Sequence, residues 1–179
     1  NKVNPYIEIS GRKIGIDYAP LIIVEVGINH EGSLSKAIQL VDAAKEAGAE
    51  LVKFQTHITE KEMIYTDMKP GDISEEKLWD IIKRCELSFE DEILIKEYCI
   101  KNDIIYLSTP FSREAADRLE KMNLSAYKIG SGECNNIPLI DHIASKLKPI
   151  ILSTGMNDIK SISNSVKVIE SYNCKLAIL

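Results

Sequence analysis

Polar side chains stand at the ends of apolar, strand-like runs throughout this 179-residue chain. The run LIIVEV ends near Glu25, with Asn29 and His30 just after it. ELVKF carries Lys53, and Gln55 follows. DIIYLST ends in Ser108 and Thr109. AYKIGSGE carries Lys128, Ser131 and Glu133, and PIILSTG carries Ser153 and Thr154. A lysine inside an apolar strand needs an anionic partner or a lowered pKa, because burying a lone ammonium is costly. A Lys53–Glu25 or Lys128–Glu133 ion pair that holds the fold together would meet that need. Two lysines, several hydroxyls and two carboxylates converging on one rim point further. They suit a small, multiply charged anion, such as a phosphate that also bears a carboxylate. Gly130 and Gly132 flank Ser131 and let backbone N–H groups approach such an anion.

These residues need elements that carry them to one place. Tyr6–Ser10 and Lys13–Asp17 alternate around Gly11-Arg12 and predict a β-hairpin. Six runs follow: Leu21–Val26, Glu50–Phe54, Asp103–Thr109, Ala126–Glu133, Pro149–Gly155 and Lys175–Leu179. Amphipathic segments between them predict helices over Leu34–Ala47, Glu75–Cys85, Phe89–Lys101, Ser112–Lys121, Ile137–Lys146 and Asp158–Tyr172. Ser33 and Gly48 read as caps of the first. An excursion over Thr59–Leu87 lengthens the second interval, and long loops concentrate function. Strands apolar on both faces, alternating with helices, mean a parallel sheet covered by helices. An open doubly wound sheet and a (β/α)8 barrel both fit. No GxGxxG or GxxxxGK[ST] follows a strand, and the polar groups are spread over five strand ends, as in a barrel. The expected fold is therefore the first six strands of a TIM barrel over 21–179, preceded by the hairpin over 1–20.

Composition narrows the partners. With 22 basic and 27 acidic residues, the net charge of −5 argues against nucleic acid. No apolar run reaches the roughly 20 residues of a membrane span, and no signal peptide is visible, so a cytoplasmic protein is expected. Cys85, Cys99, Cys134 and Cys174 form no CxxC pair and are expected to be reduced. Among the three histidines, His30 reads as a loop-fixing residue, His57 as a residue that could shape a pocket, and His142 as surface.

The blocks IIVEVGINHEGSL, LVKFQTH, YLSTPFS, AYKIGSGECNNIPLI and PIILSTGM together resemble the N-terminal barrel domain of the bacterial sialic acid (N-acetylneuraminate) synthase family. The likeness runs from about residue 5 to the last residue. It implies condensation of phosphoenolpyruvate with N-acetylmannosamine to N-acetylneuraminate and phosphate. It also implies a divalent metal, usually manganese, and a homodimer when full length. By this resemblance Lys53, Thr109, Lys128, Ser131 and Ser153 hold phosphoenolpyruvate, and Gln55 and Glu133 contact the sugar. Glu25 lies beside the reacting centre, and Glu25 and Glu133 are the candidate catalytic carboxylates. The metal polarises the sugar aldehyde as a Lewis acid. The enol carbon attacks, and carboxylate charge stabilises the cation that forms at C2.

Several departures qualify the likeness. The family's metal-binding histidines lie on later strands, so no metal ligand is expected within these 179 residues. The family's antifreeze-like domain has no counterpart here, and the chain alone is expected to be inactive. Sialic acid synthases place an Asn near the Pro-Gly turn of the excursion, whereas here Pro70-Gly71 is followed by Asp72 and the segment looks shorter, which leaves the acceptor sugar open. Alternatives are a legionaminic or pseudaminic acid synthase, a Schiff-base aldolase using Lys128 or Lys53, or a non-catalytic fragment that binds phosphoenolpyruvate.

Overall fold

A computed structural model describes residues 4–179. The chain opens with the antiparallel hairpin of β1 (Tyr6–Ile9) and β2 (Arg12–Gly15). Its two-residue turn is Ser10-Gly11, one position earlier than the sequence pattern suggests. Both residues take positive φ, 48° and 81°, as the twist of a tight hairpin demands. The parallel strands are β3 (Ile23–Gly27), β4 (Leu51–Thr56), β5 (Ile105–Pro110), β6 (Tyr127–Ile129), β7 (Ile150–Leu152) and β8 (Leu176–Ile178). Helices α1 (Leu34–Glu46), α2 (Thr59–Glu62), α3 (Leu78–Cys85), α4 (Phe89–Lys101), α5 (Arg113–Lys121), α6 (Ile137–Ala144) and α7 (Ile159–Ser171) connect them. Polar caps set the helix starts. Ser33, Ser88, Ser112, Asn136 and Asp158 each accept a backbone N–H from the first turn of α1, α4, α5, α6 and α7.

The strands form two three-stranded parallel sheets, β3-β4-β5 and β6-β7-β8. In each, spatial order follows chain order, without the reversal that defines a doubly wound sheet. β6 lies beside β5, but the two share no ladder. The six barrel strands expected from sequence are present as two small, open sheets in barrel-like succession. The strand expected over Ala126–Glu133 also shortens. It ends at Ile129, and Ser131–Glu133 form a 3-10 turn, with Glu133 N donating to Gly130 O and Cys134 N to Ser131 O.

Side-chain alternation sorts the sheet into two faces. Outward, Val26, Val52 and Phe54 join Leu119 of α5 and Ile140 of α6 in the core beneath the helices. Inward, Leu51, Leu107, Ala126 and Ile151 form a second cluster at the N-terminal ends of the strands. The hairpin supplies Ile7 and Ile9 to that cluster, Ile9 fully buried. Two residues further along each strand, the same inward rows become Lys53, Thr109, Lys128 and Ser153. The inner face is thus apolar at the bottom, where the hairpin covers it, and polar at the top. No helix among the described residues is long and apolar enough to cross a membrane.

Candidate active site

Register places the polar rim. Glu25 on β3 stands opposite Lys53 on β4, and Gln55 stands opposite Thr109 on β5. Lys53, only 7% exposed, forms an ion pair with Glu25 and donates to Thr109 Oγ1 at 3.3 Å. Lys128, 5% exposed, donates to Ile129 O at 2.9 Å and to Ser153 Oγ at 2.6 Å. Burial, and then repulsion from Lys53, pull the Lys128 ammonium down to about 8, against the attraction of Glu25. The two lysines therefore share the inner face and feel each other's charge. A Cβ built on Gly130 would lie 3.8 Å from the Thr109 methyl, and one on Gly155 would lie 3.7 Å from Ser131 Oγ. Thr109, Ser131 and the loop after Ser153 thus close round the same space. Of the two structural ion pairs considered from sequence, Lys53–Glu25 forms. Lys128 and Glu133 find other partners, and Glu133 accepts from Asn136 Nδ2 at 2.6 Å.

Some residues were missed by the sequence reading. Asn157 donates to Ser131 O at 2.8 Å and to Gly155 O at 2.7 Å, tying the loop after β7 to the Ser131 turn. Ser108, grouped with Thr109 at the same strand end, faces the opposite way. It meets Thr56 Oγ1 at 2.7 Å, and Thr56 donates to Glu92 Oε1 at 2.6 Å. Glu92 is 1% exposed and accepts from Arg118 at 3.2 Å. Burial pushes its carboxyl up despite Thr56 and Arg118. His30 is fully buried, and its Nδ1 accepts from Gly32 N at 3.0 Å, so the ring fixes the β3–α1 loop. Burial, then His57, push His30 down, in line with an unprotonated Nδ1 that accepts from Gly32. His142 sits half-buried on α6 beside Asp117. Asn157 lies in the loop after β7 and Asn136 at the cap of α6, and loop and cap positions carry no periodic signal for pattern reading to find.

A match to the family model described as the NeuB family covers residues 40–179. The chain belongs to the NeuB family. Among its NeuB-type relatives, N,N'-diacetyllegionaminic acid synthase of Legionella pneumophila is 36% identical over 91% of this chain and 49% of its own length. N-acetylneuraminate-9-phosphate synthase of Homo sapiens is 28% identical over 91% of the chain and 46% of its own. The chain thus spans about half the length of the curated relatives it matches. The crystal structure of N-acetylneuraminic acid synthetase from Leptospira borgpetersenii, in complex with citrate, superposes with a TM-score of 0.86 at 26% identity. That match covers 98% of this chain and 58% of the other.

A metal was expected from the family resemblance. Among the described residues no three His, Cys, Asp or Glu side chains are grouped to hold one. Glu25 answers Lys53, Glu133 accepts from Asn136, and His57 lies between Glu62 and Gln55. These residues do not by themselves build a divalent-metal site.

Proposed function

We propose that the full-length protein condenses phosphoenolpyruvate with an acetamido sugar to give a sialic-acid-type product and phosphate. The convergence of Lys53, Lys128, Thr109, Ser131 and Ser153 around one inner rim carries this reading. Two ammonium groups and three hydroxyls supply the positive charge and hydrogen-bond donors that suit the oxygens of a phosphate and a carboxylate. In this reading Lys53 and Lys128 neutralise the anion, the hydroxyls orient it, and Gln55 and Glu133 contact the sugar. Glu25 lies beside the carbon that turns cationic when the enol attacks the sugar aldehyde, where a carboxylate would stabilise it. That role suits its place: it is tethered to Lys53 yet half exposed. The divalent metal, the homodimer and a cytoplasmic setting belong to the proposal too, the metal's ligands coming from elsewhere in the full-length protein.

The acceptor named first is N-acetylmannosamine. One observation favours a second reading, a diacetamido sugar of the legionaminic type. Identity is higher to the legionaminic acid synthase than to the human sialic acid enzyme, 36% against 28%. Competition between the two sugars in one assay with phosphoenolpyruvate separates the readings by their kcat/KM ratio.

Bond cleavage tests the reaction class. Attack by the enol carbon, followed by water at C2, breaks the C–O bond of phosphoenolpyruvate and leaves P–O intact. Substrate carrying heavy oxygen in the C–O–P bridge should release phosphate that keeps the label, read by mass spectrometry. Unlabelled phosphate would exclude this chemistry. Borohydride treatment with pyruvate should trap no adduct on Lys128 or Lys53; an adduct would favour the aldolase alternative.

A further inference from the structure

Beside the rim, three side chains run in line from a short helix to the inner face. Glu62, on α2, places Oε1 at 2.8 Å from His57 Nδ1, while its Oε2 accepts from Ile58 N at 3.2 Å. His57 Nε2 lies 2.8 Å from Gln55 Oε1. The ring is 5% exposed and stacks on Phe111 with centroids 4.4 Å apart. The far end of the carboxamide turns toward Glu25. A Cβ on Gly27 would lie 3.7 Å from Gln55 Nε2 and 3.5 Å from Glu25 Oε1. Both ring nitrogens of His57 therefore face oxygens that accept hydrogen bonds. A neutral imidazole carries one N–H and can serve only one of them, leaving a lone pair against an oxygen in a buried place.

We propose that Glu62 holds His57 as an imidazolium, and that this ring fixes the Gln55 carboxamide with its NH2 toward the substrate. His57 and Glu62 are then positioning residues for the acceptor sugar. The identity of that ligand rests on the functional reading above; the charge of the ring and the orientation of Gln55 do not. A carboxamide free to rotate offers either a carbonyl or an NH2. One held at its oxygen offers only donors, so it reads an oxygen acceptor on the sugar and disfavours a donor there. The charged and titratable groups facing His57 are Glu62 from α2, Glu92 from α4 and His30 from the loop after β3. Glu92 is already paired with Arg118, and His30 Nδ1 accepts from Gly32 N. Glu62 is thus the counter-ion of the ring.

The test is long-range proton–nitrogen NMR on the full-length protein labelled at histidine nitrogen, near neutral pH. One ring should show both nitrogens protonated, with through-space contacts to the Phe111 ring. That signal should vanish in His57→Gln. In Glu62→Gln the ring should become neutral. The KM for the acceptor sugar should rise about tenfold, while the KM for phosphoenolpyruvate moves less than about twofold. A general structural defect would move both constants together. A neutral His57 in the wild-type protein overturns the proposal, whatever the turnover. So does an unchanged sugar KM in a folded Glu62→Gln protein whose ring has lost its charge. A wild-type protein that shows the imidazolium but condenses no acetamido sugar with phosphoenolpyruvate would instead overturn the functional reading, and would support the assigned ring charge.

Discussion

In the full-length protein, Lys53→Ala is expected to raise the KM for phosphoenolpyruvate by roughly 10- to 150-fold, the loss of one charge-assisted contact. The change removes an ammonium that is 7% exposed and leaves Glu25 without its ion-pair partner, facing an incoming anion. Both effects act in the same direction. Lys128 adds a pH dependence whose sign is fixed. Its pKa is lowered to about 8, so the charged, anion-binding form is lost as pH rises through that value. The kcat/KM for phosphoenolpyruvate should fall above about pH 8. The kcat profile should break at higher pH, because the bound anion favours the ammonium. Lys53→Ala relieves the repulsion on Lys128 and should move the kcat/KM break upward. Steady-state kinetics across about pH 6–10, roughly two units either side of the shifted lysine, reads all three effects. A break that stays in place after Lys53→Ala would mean that the two lysines do not share one space.

The largest stability effect is expected on the other face of the same strands. Arg118→Met should cost about 3–5 kcal/mol near neutral pH, because it strands the buried Glu92 carboxylate. The cost should shrink on acidification. Burial raises the Glu92 pKa, so the folded protein keeps this proton to higher pH than the unfolded chain does. From Glu92, stability is therefore lost as pH rises from the ordinary glutamate range through the raised value. Glu92→Gln should flatten that slope. Combined with Arg118→Met, it should recover much of the loss. Urea unfolding at several pH values measures each term. An Arg118→Met penalty that does not change with pH would show that lost packing, rather than stranded charge, is the cause.

Period and burial made much of the frame legible. Six apolar runs and the helices between them were readable because each strand is covered and each helix is amphipathic. Lys53 and Gln55 were placed together because alternate residues share a face. The same rule, applied only loosely at the strand end, grouped Ser108 with Thr109. Adjacent residues face opposite ways, and Ser108 joins Thr56 and Glu92 behind the sheet. Ser131 and Glu133 were assigned to a strand because GSGE continues an apolar run without a helix signal. The backbone instead curls at Gly130 into a 3-10 turn. The Glu62–His57–Gln55 line was not legible at all. It depends on a single helical turn that brings Glu62 back over a strand end, and five residues of separation carry no period to detect.

The hairpin under the sheets sets an order of events at the ribosome. Ile7 and Ile9 are made more than a hundred residues before part of the surface that buries them, which includes Ala126 and Ile151. Ser10 likewise meets Ser125, 115 residues later, at 2.8 Å. At translation speeds of about 5–20 residues per second, the hairpin waits on the order of 10–30 s before its last partner strand emerges. During that time a short, two-stranded apolar ribbon is exposed, and such a ribbon has little stability of its own. Docking of this N-terminal piece must therefore come late in synthesis. A chain slowed between residues 16 and 126 should spend longer open to chaperones and to pairing with neighbouring nascent chains.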